Sequence, residues 1–220
     1  DSLAGWYFSI KSVDVDGDGD QDYILGNLGE NYKYKATANE PFEVYYDDFD
    51  KNGSKDIVLG YYNFGNLFPV RGRECSSQQI PNIKNVMPTY DDFGKSTLTE
   101  IYGGDKLKGA LQLSCYNFKS GILKNIGSGE FEFIPFPAIA QISSINSIVL
   151  EDLNFDGEKD LIIAGNMFGS EIETPRNDSG YGMVLLNIGN GQFSSLNAHE
   201  TGFFLPYDVK TLQTLQINGE

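Results

Sequence analysis

Several residue types are scarce in this chain, and each shortage excludes a class of protein. Basic side chains number 16 against 31 acidic ones, which gives a formal charge of −15 over 220 residues. Binding to phosphate groups is driven by clustered Lys and Arg, so we expect no nucleic-acid partner and no anionic membrane. The two cysteines are too few for a disulfide scaffold, and they lack the CxxC spacing of a zinc site.

Long apolar runs and catalytic motifs are also missing. Nowhere does the sequence hold the roughly eighteen consecutive apolar residues of a membrane span, and its first residues lack a basic region followed by an apolar stretch. We therefore expect neither a signal peptide nor direct membrane insertion in the chain as given. The single histidine, His199, has no Ser or Cys nucleophile motif nearby. The sequence thus predicts a protein that is not an enzyme.

The chain does have an excess of acid, gathered in three segments. Residues 14–22 (loop 1), 48–56 (loop 2) and 152–160 (loop 3) all fit D-x-[DN]-x-[DN]-G-x-x-D. This spacing offers a side-chain oxygen at alternate positions, and the glycine permits a sharp turn around an ion. Hard oxygen ligands suit Ca²⁺ better than a transition metal. We predict up to three structural Ca²⁺ ions, with metal-free Asx-rich turns as the alternative.

The motif also predicts which residues are ligands. The side-chain ligands are Asp14, Asp16, Asp18 and Asp22 in loop 1, Asp48, Asp50, Asn52 and Asp56 in loop 2, and Asp152, Asn154, Asp156 and Asp160 in loop 3. The seventh residues, Asp20, Ser54 and Glu158, would contribute main-chain carbonyls. An EF-hand requires a Glu at the twelfth position of its loop. Counted from the first aspartate of each loop, that position holds Leu25, Leu59 and Ile163, so EF-hands are excluded.

Short strands surround the loops. Each loop is followed by a short apolar run that ends in glycine, at Gly26, Gly60 and Gly165, as is typical of a buried strand. Residues 120–131 parallel residues 184–193, which predicts a fourth unit, without an ion of its own, between loops 2 and 3. Such glycine-punctuated units favour an all-β fold, a β-propeller of about four blades and part of a fifth that opens at 208–220.

One segment departs from the strand pattern. Between residues 79 and 102, apolar side chains at Ile83, Val86, Met87 and Tyr90 have the spacing of an amphipathic helix, with Pro81 near its start. Pro88 is expected to end this helix, and residues 91–101 are expected to form a second one. We interpret the segment as a small helical insertion.

The loops, their apolar strands and the phrase Leu-Leu-Asn-x-Gly-x-Gly-x-Phe at 185–193 resemble a known family. They are similar to the FG-GAP/VCBS repeats of integrin α-like β-propellers, and more closely to large secreted or surface VCBS-repeat proteins of Bacteroidetes-type bacteria. The resemblance implies that residues 1–220 are part of a propeller of about seven blades. It also implies calcium loops between the first and second strands of a blade, and remaining blades from the same longer chain.

The expected function is binding outside the cell. A calcium-stabilised module of this kind suits adhesion, or the capture of a protein or polysaccharide, at the surface of a bacterium, where calcium is abundant enough to fill weak sites. Two alternatives stay open. One is a propeller-type polysaccharide lyase or hydrolase, and the other is a structural subunit of a surface complex.

Overall fold

The computed structural model describes residues 3–170, 173–215 and 217. These residues form mostly β-sheet, with twelve strands in three four-stranded antiparallel sheets and a few short helices. The strands are β1 (Ser9–Val13), β2 (Asp22–Gly26), β3 (Phe42–Asp47), β4 (Asp56–Asn63), β5 (Asn66–Pro69), β6 (Leu111–Cys115), β7 (Gly121–Asn125), β8 (Phe131–Pro135), β9 (Ile145–Glu151), β10 (Asp160–Gly165), β11 (Met183–Asn187) and β12 (Phe193–Leu196). The helices are α1 (Arg73–Gln79), α2 (Ile83–Val86), α3 (Tyr90–Lys95), α4 (Leu98–Tyr102), α5 (Gly104–Gly109) and α6 (Ala198–Thr201), with a 3-10 turn at Ala138–Gln141.

The chain divides into two compact units. The helix-containing unit consists of residues 34–117 and the first described residues. The two-sheet unit consists of residues 5–33 and the described residues from 118 onward.

The two-sheet unit holds two sheets whose strands follow one another in chain order. One sheet has the order β1-β2-β7-β8, and the other has the order β9-β10-β11-β12. Their facing side chains form one apolar core, in which Ile24 and Ile122 of the first sheet meet Leu161 and Leu185 of the second. All four side chains are fully buried. Loops 1 and 3 both belong to this unit.

The helix-containing unit has one sheet, covered on one face by helices. Its strand order is β6-β3-β4-β5, so β6 returns along the outer side of β3 after the helical segment. Tyr45 and Val58 project from the covered face into a core with Ile83, Leu98 and Ile101 of the helices. Loop 2 lies in this unit.

The prediction of four blades and part of a fifth is wrong for the described residues, which form three sheets. The repeat at 120–131 does not mark a fourth unit. It supplies β7 and the turn to β8, the third and fourth strands of the sheet that begins with β1. The helix-containing unit interrupts this sheet between β2 and β7, which also explains why loop 2 follows loop 1 so closely in sequence.

The helical segment is longer and more broken than predicted. Helices run from Arg73 to Gly109 rather than from 79 to 102, and the helix expected up to Pro88 covers only Ile83–Val86. Within residues 91–101 the chain breaks between α3 and α4, because Thr97 starts a new helix with a capping box to Glu100. Ile83 and Met87 are buried as expected, whereas Tyr90 is exposed.

The segment predicted to open a further blade shows no strand where it is described. Residues 208–215 and 217 are irregular, and residues 216 and 218–220 of that prediction lie outside the described residues. Within the described chain, each helix is too short or too polar to cross a bilayer.

Candidate metal centres

Each of the three acidic loops is a connection between strands of one sheet. Loop 1 joins β1 to β2, loop 2 joins β3 to β4, and loop 3 joins β9 to β10, so each connects two neighbouring antiparallel strands. For loops 1 and 3 these are the first and second strands of a sheet. This is the place that the family resemblance implies for a calcium loop.

The loops also share one backbone course. The fourth residue has a left-handed conformation in all three, with φ of 75° at Gly17, 62° at Lys51 and 63° at Phe155. The sixth residue is a glycine with φ between 90° and 96° in each loop. Only glycine adopts such values at no steric cost, which explains the glycine that the motif requires at this position.

The first aspartate of each loop fixes the turn. In loop 1, Asp14 accepts hydrogen bonds from the amides of Gly17 (2.8 Å) and Gly19 (3.0 Å) through its two oxygens. Asp48 and Asp152 accept equivalent bonds from the fifth and sixth residues of their own loops. Each loop therefore curls around its first carboxylate.

The ninth aspartate anchors the loop to the sheet. Asp22 and Asp160 are fully buried, and Asp56 is 3% exposed. Oδ2 of each accepts a 2.9 Å bond from the amide of the second loop residue. Oδ1 of Asp22 and of Asp160 accepts a further bond from the third strand of the sheet, from Asn125 N–H (2.7 Å) and Asn187 N–H (2.9 Å) respectively.

Carboxylates come together in two of the loops. Oxygens of Asp14, Asp16 and Asp18 lie within 4.8 Å of one another, as do those of Asp48, Asp50 and Asp56, so each group could hold a metal ion. In loop 3 the third residue is Asn154, whose amide donates to Asp156 Oδ2 (2.7 Å), and the described residues show no such grouping of acids there.

The remaining predicted ligands are the exposed seventh residues. The amides of Asp20, Ser54 and Glu158 donate to the side-chain oxygen of the fifth loop residue at 2.9, 2.7 and 2.8 Å. The predicted ligands of each motif are therefore gathered in one loop by its own hydrogen bonds.

One orphaned atom shows that loop 1 suits a cation. Asp16 Oδ1 is buried and has no hydrogen-bond partner. A buried oxygen without a partner is costly, and a bound cation would remove that cost. The predicted ligand atoms in all three loops are carboxylate, side-chain amide and main-chain carbonyl oxygens, the set that hard cations such as Ca²⁺ prefer.

The electrostatics of loops 1 and 2 differ. Lys124 of β7 lies 2.5 Å from Asp16 Oδ2, and its hydrogen bond lowers the pKa of the Asp16 carboxyl and raises that of the lysine. In loop 2, burial raises the pKa of Asp56, with a contribution from the nearby charges of Asp50 and Asp48. In loop 1 a lysine thus neutralises a predicted ligand, whereas in loop 2 a buried predicted ligand lies among like charges.

Loop 2 is also attached to the helical segment. Phe49 packs against the Tyr102 ring, with centroids 5.9 Å apart, and its carbonyl accepts a 2.8 Å bond from Lys106 Nζ. Beside this junction lies a cleft of about 350 Å³ lined by Asp50, Glu100 and apolar side chains of α2 and α4.

Sequence reasoning missed the residues outside the motif that contact the loops. Asn125 and Asn187 were visible as a repeated Asn-x-Gly-x-Gly-x-Phe phrase, but their amides reach a loop only because the third strand pairs beside the second. No sequence pattern indicated that Lys124 and Lys106 would contact a loop. His199 is exposed in α6.

No match results when the chain is compared with protein-family models, with curated proteins and with solved structures.

Proposed function

We propose that this chain is a calcium-binding module of the FG-GAP/VCBS repeat class, and that it forms part of a β-propeller in an extracellular or cell-surface protein. The observation that carries the proposal is the common design of the three loops, with the same left-handed positions, first-residue turn and buried ninth aspartate. Two sheets with four strands in chain order, packed through one core, agree with the blades of a propeller.

The proposed role of calcium is structural. Loop 1 contains four predicted ligand carboxylates, and loops 2 and 3 contain three each, so like charges within a loop repel one another until a cation binds. A divalent ion bound only by the folded loop stabilises the fold by mass action. Extracellular calcium suffices for weak oxygen sites, which favours a location outside the cell.

Calcium removal tests this proposal. A chelator is expected to lower the Tm measured by circular dichroism, and Mg²⁺ should restore it poorly because it demands stricter geometry. Calorimetry should count one ion fewer in Asp152→Ala, whereas Glu132→Ala, an exposed acid on β8, should leave the count unchanged. An identical melt with and without calcium would refute the metal assignment.

The proposed partner is a protein or polysaccharide. Two phenylalanines in turns are almost fully exposed, Phe64 at 95% and Phe155 at 90%, and exposed aromatic rings are suited to stacking on sugars or on protein partners. Affinity electrophoresis against soluble polysaccharides, with calcium and with chelator, tests this role. Calcium-dependent retardation without products would support binding, whereas new reducing or unsaturated ends would favour the polysaccharide hydrolase or lyase.

A further inference from the structure

Asn187 connects loop 1 to loop 3 inside the two-sheet unit. Its main-chain N–H donates to Asp160 Oδ1 (2.9 Å), the last predicted ligand of loop 3. Its side-chain Nδ2 donates to the carbonyl of Val15 (3.0 Å), which lies between two predicted ligands of loop 1. Val15 in turn donates its own N–H to Asp22 Oδ2 (2.9 Å).

These contacts form one continuous path between two buried carboxylates. It runs from Asp22 through Val15 and Asn187 to Asp160, and each of the four residues is at most 4% exposed. Buried hydrogen bonds in a close-packed core have few alternative partners, so a change of orientation at one end disturbs the next bond. The path therefore offers a physical route by which ordering one loop orders the other.

The corresponding asparagine of the first sheet makes only half of these contacts. Asn125 donates its N–H to Asp22 Oδ1 and accepts from Gly127 N–H, as Asn187 accepts from Gly189 N–H. Of the two asparagines, only Asn187 also donates its side-chain amide to the other loop. The chain thus supplies a matched control for that bond.

We infer that loops 1 and 3 bind their ions with positive cooperativity, and that Asn187 is the residue that couples them. The inference rests on the proposed calcium binding. An ion at loop 3 fixes Asp160 and so holds Asn187 against Val15, which leaves less disorder to remove when loop 1 fills. By linkage, an ion at loop 1 helps loop 3 by the same factor, for which we expect roughly 5-fold, the low end for coupled sites.

Electrostatic effects oppose this coupling. Loop 1 has four ligand carboxylates and loop 3 has three, so each loop stays negative after it binds one divalent ion. Filling one loop makes the field at the other less negative, which disfavours the second ion. At about 0.15 M salt such an effect is screened beyond about 8 Å.

Calcium calorimetry on the 220-residue chain with loop 2 silenced by Asp48→Ala tests the coupling. Silencing loop 1 as well, by Asp14→Ala, should weaken calcium binding at loop 3 roughly 5-fold. With Asn187→Ala this weakening should disappear, whereas with Asn125→Ala it should persist. The same weakening with and without Asn187, or tighter binding at loop 3 after loop 1 is silenced, would overturn the inference.

A second measurement needs no change at Asn187. In the Asp14→Ala chain, calcium at loop 3 should slow hydrogen exchange at the amide of Val15, which is remote from loop 3 in sequence. Unchanged exchange would count against the coupling. Absence of calcium binding at every loop would instead refute the proposed function, so the two failures are distinguishable.

Discussion

Lys124 distinguishes loop 1 from loop 3. Asn125 and Asn187 both donate to a ninth aspartate, so Lys124 on β7 corresponds to Leu186 on β11. Within residues 3–170, 173–215 and 217, loop 1 is the one loop in which an ammonium group forms an ion pair with a predicted ligand, Asp16. Because a bound cation and this ammonium compete for the same carboxylate, the lysine should weaken calcium binding at loop 1.

Lys124→Met is therefore expected to raise the calcium affinity of loop 1. The pair is only 22% and 12% exposed, but the lysine can swing into water, so we expect at most about 1 kcal/mol, or roughly five-fold. Calorimetry against Lys11→Met, an exposed lysine on β1, provides the comparison. Unchanged or weaker binding in Lys124→Met would show that the ammonium does not compete.

The ninth aspartates should respond differently to amidation. Both oxygens of Asp160 accept a main-chain N–H, from Leu153 and from Asn187, so the NH₂ group of Asp160→Asn would face one of these donors. The free energy of unfolding should therefore fall by about 1–3 kcal/mol even in chelator. At Asp56 the close amide donor is Phe49 N–H, and the oxygen of an Asn side chain can still accept that bond. Without calcium, Asp56→Asn should thus melt near the wild type, and with calcium both variants should melt lower.

The raised pKa of Asp56 gives the same experiment a pH dependence. Because burial raises the folded-state pKa, the ion-free fold binds this proton more tightly than the unfolded chain, and the stability it contributes is lost as pH rises through the folded pKa. Asp56→Asn should remove that loss. If Asp56→Asn lowers the Tm in chelator as much as Asp160→Asn does, this account of loop 2 is wrong.

Ligand positions could be predicted from the sequence because they lie within nine consecutive residues. The spacing of Asp14, Asp16 and Asp18 alone gathers their oxygens, as the structure shows. The contact of Lys124 depends on the pairing of β7 with β2, and that of Asn187 with Val15 depends on the packing of one sheet against the other, and no local pattern encodes either arrangement. The ligands within each loop could therefore be predicted from the sequence, whereas the distant residues that contact the loops could not.

At the scale of elements, the glycine after each apolar run ends β2 and β10 but lies inside β4, and its surroundings differ accordingly. A Cβ at Gly165 would lie 1.7 Å from the carbonyl oxygen of Ser144, and one at Gly26 would lie 2.2 Å from that of Ile145. At Gly60 the nearest atoms belong to the side chains of Leu67 and Leu98, which can shift. The same sequence signal thus has a strict steric cause in the two-sheet unit and a looser one in the helix-containing unit.

Gly165→Ala should destabilise the fold by about 3 kcal/mol or more, because two backbones must separate to admit the methyl group. Gly169→Ala is the matched control, since a Cβ there meets nothing within 4 Å and the residue has no positive φ. Urea unfolding of both variants measures the difference. Equal stability of the two would show that the strand end can relax.

Element types were easier to predict than their partners. Apolar runs after the loops do form β2, β4 and β10, and the segment after Pro81 does contain helix. The expected fourth unit failed because β7 and β8 repeat the pattern of β11 and β12, while a separate unit lies between β2 and β7. Two strands with similar sequences can occupy the same position in their sheets. The similarity does not reveal which other strands complete each sheet.

For the whole molecule, the net charge of −15 is largely a property of the loops. Ten of the 31 acids are predicted side-chain ligands, and three bound divalent ions would reduce the formal charge to −9. The remaining acids are spread over the rest of the chain. The excess of acidic residues is therefore mainly a feature of the three loops rather than of the whole protein surface.

The topology makes the helix-containing unit an insertion in the first sheet. β2 pairs directly with β7, with Tyr23 opposite Leu123. In sequence, residues 34–117 lie between the two segments that form the two-sheet unit. The chain ends at this insertion lie close together, because Gly29 N–H donates to the carbonyl of Phe118 (2.8 Å). A short linker can therefore replace the inserted residues without stretching the sheet.

Replacing residues 34–117 by a flexible linker of about five residues should leave the two-sheet unit folded, with calcium bound at loops 1 and 3 only. Circular dichroism and calorimetry measure the fold and an ion count reduced by one. Deleting residues 118–135 instead removes β7 and β8, the third and fourth strands of the first sheet, and should abolish the cooperative melt. An unfolded product from the first replacement would mean that the two-sheet unit depends on the inserted unit for its stability.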